Sequence, residues 1–146
     1  MYVAIAEDDY YQADLIEESL RNRFRDIRCR RLRTEHEFRA AISELIEDPP
    51  QAFIIDVMLR WTDPAPEMPK APPNVRRGGS HRAGLRCKKL LSDTPALRDI
   101  KVILYTVLDK ADLTKELSKL PDVIHVRKDA DPTELLETLQ SVSRQP

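Results

Sequence analysis

Glycine is scarce in this chain, with three in 146 residues, while proline is frequent at eleven. No glycine fingerprint follows the first apolar segment, so the turn that cradles a dinucleotide pyrophosphate is missing. Cysteine is nearly absent: Cys29 and Cys87 lie far apart with no CxxC spacing. A disulfide framework needs more cysteines in a smaller chain, so reduced thiols are expected. Charge of one sign is lacking as well, with 24 Lys plus Arg against 25 Asp plus Glu. That balance argues against a globally basic nucleic-acid binder and against an acidic disordered tail. No apolar run is long. Val102 to Tyr105 has strand length, far short of the roughly 20 residues of a membrane span. Acidic residues begin at Glu7, before a secretory hydrophobic region could form. A cytoplasmic protein without a membrane partner is the expectation.

The length suits one domain, residues 1–146, able to bury roughly 68–70% of its unfolded surface. Short apolar runs alternate with amphipathic stretches, five times each. Tyr2 to Ala6 predicts a strand ending at Glu7-Asp8-Asp9, followed by Ala13, Ile16, Leu20 and Phe24 at helical spacing. Ile27 to Arg33 alternates apolar and basic residues, as a strand with one wet face would. Thr34 and Glu37 make a capping box for a helix carrying Phe38, Ala41, Ile42 and Leu45, ended by Pro49-Pro50. Ala52 to Ile55 stops at Asp56, Val102 to Tyr105 stops at Thr106, and Val123 to Val126 ends near Lys128. Asp109 can cap a helix with Leu113, Leu117 and Leu120, closed by Pro121. Asp131-Pro132-Thr133-Glu134 opens a last helix with Leu135, Leu136, Leu139 and Val142.

Strands alternating with helices imply right-handed βαβ units and a parallel sheet covered on both faces. Apolar strands one, three, four and five fit buried positions, and the arginine-bearing second strand fits an edge. Arg60 to Gly84 breaks the regularity. It holds Pro64, Pro66, Pro69, Pro72, Pro73 and all three glycines, in a loop longer than compact domains usually keep without a purpose. Residues 60–89 carry eight basic against two acidic side chains, while residues 1–59 carry 8 against 13. A basic insertion therefore interrupts an acidic scaffold. Prolines keep residues 63–75 extended, whereas Arg76, Arg77 and Arg82 among glycines could contact an anion.

Glu7, Asp8, Asp56, Thr106 and Lys128 share one placement, at or just beyond the C-terminal ends of the strands. In an open parallel sheet those ends line the ligand crevice. Three carboxylates together resist ionisation unless a cation neutralises them, and hard oxygen ligands suit Mg²⁺. A lysine and a hydroxyl beside them suit an anion with three oxygens, for which phosphoryl is the natural candidate. Each residue alone has a plainer reading. Asp9 can cap the first helix, Asp56 can end a turn, and Lys128 can be a solvated charge.

Taken together, the residues resemble the receiver domain of two-component response regulators. Ala4 to Asp9 resembles that family's first strand and acidic pair. Phe53-Ile54-Ile55-Asp56-Val57-Met58-Leu59 resembles its phosphoacceptor strand, and this match is the most specific. Gly84-Leu85 with Leu90-Leu91 is similar to the start of the third helix. Ile103 to Val107 resembles the strand with the switch hydroxyl, and His125-Val126-Arg127-Lys128 the fifth strand. Four features depart from the family. Arg60 and Trp61 stand where proline and glycine are common. Asp129 follows Lys128 in place of proline, and His125 replaces the commoner Tyr or Phe. The 60–84 insertion is longer than the usual handful of residues.

The resemblance implies a doubly wound, flavodoxin-like five-stranded sheet of order 2-1-3-4-5, with a long insertion between strand 3 and helix 3. It implies Asp56 as phosphoacceptor, with Mg²⁺ held by Glu7, Asp8, Asp56 and the Met58 backbone carbonyl. Lys128 and Thr106 would take phosphoryl oxygens, and Thr106 with His125 would act as the switch. Either ring outcome is open for His125: a switch, or a packed and hydrogen-bonded imidazole. The expected partners are a histidine kinase or phosphotransfer protein and a downstream protein, bound by a monomer or a phosphorylation-dependent dimer. Such a chain is a signalling relay that assists its own phosphotransfer, not a metabolic enzyme. The alternative is a phosphorylation-independent protein- or anion-binding module acting through the basic insertion.

Overall fold

The computed structural model describes residues 1–120 and 122–144. Five strands form one parallel sheet: β1 (Tyr2–Ala6), β2 (Arg28–Leu32), β3 (Ala52–Ile55), β4 (Lys101–Thr106) and β5 (Ile124–Arg127). Their order is β2-β1-β3-β4-β5, as the resemblance implies. The helices are α1 (Tyr10–Arg23), α2 (Glu35–Ala40), α3 (Ile42–Glu47), α4 (Pro73–Gly78), α5 (Ala83–Ser92), α6 (Thr114–Leu117) and α7 (Thr133–Ser143). None is long and apolar enough to cross a membrane.

Side-chain alternation along the strands divides the core into two layers. Ala4, Ala6, Phe53, Ile55, Val102 and Leu104 face Phe38, Leu45 and Leu91, on the side of α2, α3 and α5. Val3, Ile5, Ile54, Ile103 and Tyr105 face Ile16, Leu20, Leu135 and Leu139, on the side of α1 and α7. Burial on both faces explains the unbroken apolar runs of β1, β3 and β4. β5 is the second edge strand, as the expected order gives, but it is less buried than its apolar run suggests: only Val126 in it is fully buried. The β2 edge carries arginines, paired with acids of neighbouring helices: Arg31 reaches Asp14 at 2.7 Å and Glu17 at 2.6 Å. Such exposed pairs stabilise little, but charge on an edge discourages further strands.

The sequence signals place most element starts. Asp9 caps α1, accepting from the Gln12 amide at 3.0 Å, and Thr34 caps α2 through the Glu37 amide at 3.1 Å. The helix expected after Thr34 is interrupted at Ala41, which divides it into α2 and α3, yet Phe38, Ala41 and Leu45 remain on one buried face. The helix expected from Asp109 is a 3₁₀ turn, Lys110–Leu113, continued by the single turn α6. Both side chains of its capping box, Asp109 and Asp112, are engaged. Pro121, expected to close it, lies outside the described residues. Asp131, expected as the cap of the last helix with Pro132 at its first position, lies one residue further out: Pro132 is the N-cap of α7, and Asp131 accepts from the Thr133 amide at 3.0 Å.

The insertion is not the continuous loop that its composition suggests. Residues 60–71 are irregular, but α4 and a 3₁₀ turn at Ser80–Arg82 follow, and Gly84 already belongs to α5. The irregular part runs over the N-terminus of α2. There the Glu35 and His36 amides donate to the Arg60 and Trp61 carbonyls, each at 3.0 Å. These amides have no partner within their own helix, so the insertion satisfies them. Trp61 packs edge-on against His36 at 5.2 Å, and its Nε1 donates to the Pro69 carbonyl at 2.8 Å.

Candidate functional site

Strand register brings the site together. Ala6 lies beside Ile55, Ile55 beside Leu104, and Thr106 beside Arg127. The residues just past these partners therefore meet at one end of the sheet. They line a cleft of about 420 Å³ that includes Glu7, Asp8, Asp56, Met58, Arg60 and Lys128.

Lys128 is the centre of the cluster. Its Nζ donates to Asp56 Oδ2 at 2.8 Å and to Glu7 Oε2 at 2.9 Å. Its side chain is 8% exposed, with Glu7 at 3% and Asp56 at 9%. The other Asp56 oxygen, Oδ1, accepts the Met58 amide at 3.2 Å. Backbone support comes from the Lys128 amide, which donates to the Thr106 carbonyl at 2.7 Å. One ammonium cannot balance two buried carboxylates. Burial, with Asp56 next to it, pushes the Glu7 carboxyl up to about 8 even against the pull of Lys128. Burial acts to lower the Lys128 ammonium, but Asp56 and Glu7 outweigh it and hold the pKa above its ordinary value.

Asp8 is held from another direction. Its Oδ2 accepts the Arg60 backbone amide at 2.9 Å and faces Arg60 Nε at 3.4 Å. Asp9 is occupied as the α1 cap. Thr106 is fully buried, and its Oγ1 accepts the Leu108 amide at 3.3 Å. The Leu108 carbonyl is 2.8 Å from His125 Nε2. A carbonyl only accepts, so Nε2 carries the proton in that bond. Thr106, Leu108 and His125 thus form one hydrogen-bonded chain, and His125 is a packed, bonded imidazole in this state.

The proposed anion contacts of the insertion are not assembled in the same way. Arg76 and Arg77 are exposed on α4, outside the residues that line the cleft. Arg82 pairs with Glu116 at 3.1 Å. Sequence reasoning missed two features. Gly84 lets α5 start against the turn after Asp56, its amide donating to the Val57 carbonyl at 2.9 Å; its being one of three glycines was the available signal. Arg60 drew notice only as a replacement for proline, and nothing in its surroundings along the chain pointed to Asp8.

Among the described residues, no group of three or more His, Cys, Asp and Glu side chains converges to hold a metal ion. The reason is local: Lys128 sits on Glu7 and Asp56, and Arg60 sits on Asp8. The donor chemistry still fits a hard divalent cation, since Glu7, Asp8 and Asp56 bring carboxylate oxygens to one cleft.

No family model and no curated relative matches the sequence. Solved structures do match its fold. The receiver domain of a DNA-binding response regulator from Colwellia psychrerythraea is 21% identical, with a TM-score of 0.72, over 99% of each chain. The receiver domain of a signal-transduction histidine kinase from Syntrophus aciditrophicus is also 21% identical, with a TM-score of 0.68, over 99% of this chain and 94% of that one. The Thermotoga maritima response regulator TrrA, solved with Mg²⁺ and beryllofluoride, is 19% identical, with a TM-score of 0.66, over 97% of each chain. The chain has the fold of response regulator receiver domains.

Proposed function

We propose that the chain is a phosphoaccepting receiver, modified on Asp56 by a phosphohistidine of a kinase or phosphotransfer protein. The observation that carries this reading is Lys128 bridging Asp56 and Glu7 in a buried cluster at the carboxyl end of the sheet. An Asp56 oxygen attacks phosphorus, the P–N bond breaks, and the electron pair leaves with the imidazole of the donor. The Met58 amide and the Lys128 ammonium hold the carboxylate in place for that attack, and Lys128 then pairs with a phosphoryl oxygen. Mg²⁺, held by Glu7, Asp8, Asp56 and the Met58 carbonyl, would supply the charge that offsets the carboxylates against the incoming phosphoryl oxygens.

The signal leaves by the Thr106 chain. When Thr106 Oγ1 turns to a phosphoryl oxygen, the Leu108 amide loses its acceptor, and the loop that His125 holds is released. This changes the surface made by α6, β5 and α7, a population shift with coupling of about 1–3 kcal/mol. The chain is then a relay rather than a metabolic enzyme. Its place is the cytoplasm, which the two unpaired thiols Cys29 and Cys87 favour.

Beryllofluoride with Mg²⁺ tests the reading, followed by calorimetry and by Trp61 fluorescence. Saturable binding by the wild type that Asp56→Asn abolishes is the expected result. Absence of binding, or binding that survives Asp56→Asn, overturns it in favour of a phosphorylation-independent module acting through residues 60–84.

A further inference from the structure

The residues lining the cleft carry four carboxylates, Glu7, Asp8, Asp9 and Asp56, against two cations, Lys128 and Arg60. Lys128 bridges the buried pair and Asp9 caps α1, which leaves Asp8 to Arg60. Arg60 makes two separate contacts with the same oxygen. Its backbone amide, at 2.9 Å, orients the carboxylate, and its guanidinium, at 3.4 Å, adds a charge. The side chain is 49% exposed. Its Nη1 already lies 3.7 Å from Asp63, a second carboxylate on the insertion, toward which it can move.

We infer that Arg60 is a built-in counter-cation of the acceptor cleft, which occupies Asp8 until a divalent cation displaces its guanidinium and so sets how tightly that cation binds. This rests on the acceptor reading of the cleft. A cation on Asp8 must overcome the Arg60–Asp8 attraction and the repulsion from the nearby guanidinium. The backbone amide of Arg60 continues to orient Asp8 throughout. Arg60 is therefore a positioning residue of the site, and it links occupancy of the cleft to the segment that crosses α2.

Calorimetric titration of the full chain with Mg²⁺ at constant ionic strength tests this, alongside circular dichroism of each variant. Arg60→Gln keeps the backbone amide and removes the charge. It should bind Mg²⁺ about three- to tenfold more tightly than the wild type, the scale of one partly exposed charge pair. Arg60→Lys, which keeps the charge, should return to within about twofold of the wild type on the same scale. Lys70→Gln removes one positive charge from the insertion outside the cleft lining and should leave the affinity unchanged. Binding by Arg60→Gln no tighter than that of the wild type overturns the inference alone. So does an equal gain in Lys70→Gln, which would make the effect one of net charge. Failure of both the wild type and Arg60→Gln to bind Mg²⁺ overturns it together with the acceptor reading.

Discussion

A β-carbon on Gly84 would fall 2.2 Å from the Asp56 carbonyl oxygen and 2.7 Å from the Val57 Cα. The atoms it would meet are backbone, so no rotamer change relieves the overlap. Gly84→Ala should therefore destabilise the fold by about 2–4 kcal/mol despite the better helix propensity of alanine. Gly78→Ala would meet a side-chain atom, Arg86 Nη1, at 2.6 Å; it crowds the Arg86–Glu35 pair but no backbone, and should cost less than Gly84→Ala. Urea midpoints of the two variants make the comparison, and equal midpoints would refute the close-approach argument.

Lys128 holds two carboxylates that cannot both stay buried and charged without it. Lys128→Ala should cost about 3–5 kcal/mol at pH 8, as expected when one partner of a buried pair is removed. The cost should be smaller at pH 5, well below the raised Glu7 value, where that carboxyl is neutral with or without Lys128. Guanidinium unfolding at the two pH values reads the difference. A cost independent of pH would mean that Lys128 acts by packing alone.

Glu7 gives the wild type a pH profile of its own. Its carboxyl is raised from an ordinary 4.5 to about 8 by burial and by Asp56. Between those values the folded state binds the extra proton, so the stability contributed by this carboxyl is fully present below about pH 4.5 and is lost as pH rises toward 8. The slope contributed by this group is at most about 1.4 kcal/mol per pH unit. Lys128, raised above its ordinary value, adds stability that persists through this window and disappears only in alkali. Glu17 works at the acid end. Its slight burial is outweighed by Arg21 and Arg31, so its contribution is lost as pH falls through its lowered value. Glu7→Gln should flatten the profile between pH 5 and 8. An unchanged slope would reject Glu7 as its source.

The sheet was legible in the sequence because burial on two faces leaves unbroken apolar runs, and the residues of the cleft were legible because parallel strands end at one edge. β5 misled for the same reason: an apolar run does not distinguish a central strand from an edge strand covered by one helix. The role of Arg60 could not be read at all, since its partner Asp8 lies 52 positions away and no local spacing records the pairing. His125 left two readings open, and its ring is bonded to the Leu108 carbonyl, a contact 17 positions away that no local pattern records. Composition made the insertion seem a solvated loop. Its anchors are instead long-range: the Arg60 and Trp61 carbonyls on α2, and the buried carboxylate of Glu35.

Glu35 tests how firmly the insertion is fixed. Its carboxylate is 1% exposed and receives Arg86 through Nε at 2.9 Å and Nη2 at 2.6 Å. The same Nη2 donates to the Gly79 carbonyl at 2.8 Å, so Arg86 joins α2, α5 and the end of α4. Arg39 lies 3.3 Å from the second Glu35 oxygen, which gives a residual cation when Arg86 is lost. Glu35→Gln and Arg86→Ala should each destabilise the fold, with a coupling of about 1–3 kcal/mol in the double-mutant cycle. Arg86→Ala should also speed proteolytic cleavage within residues 61–79 at a urea concentration where the sheet remains folded, because the Gly79 tether is lost. Additive single-site effects with an unchanged cleavage rate would mean that the insertion is held by its backbone contacts on α2, and that this ion pair serves the core alone.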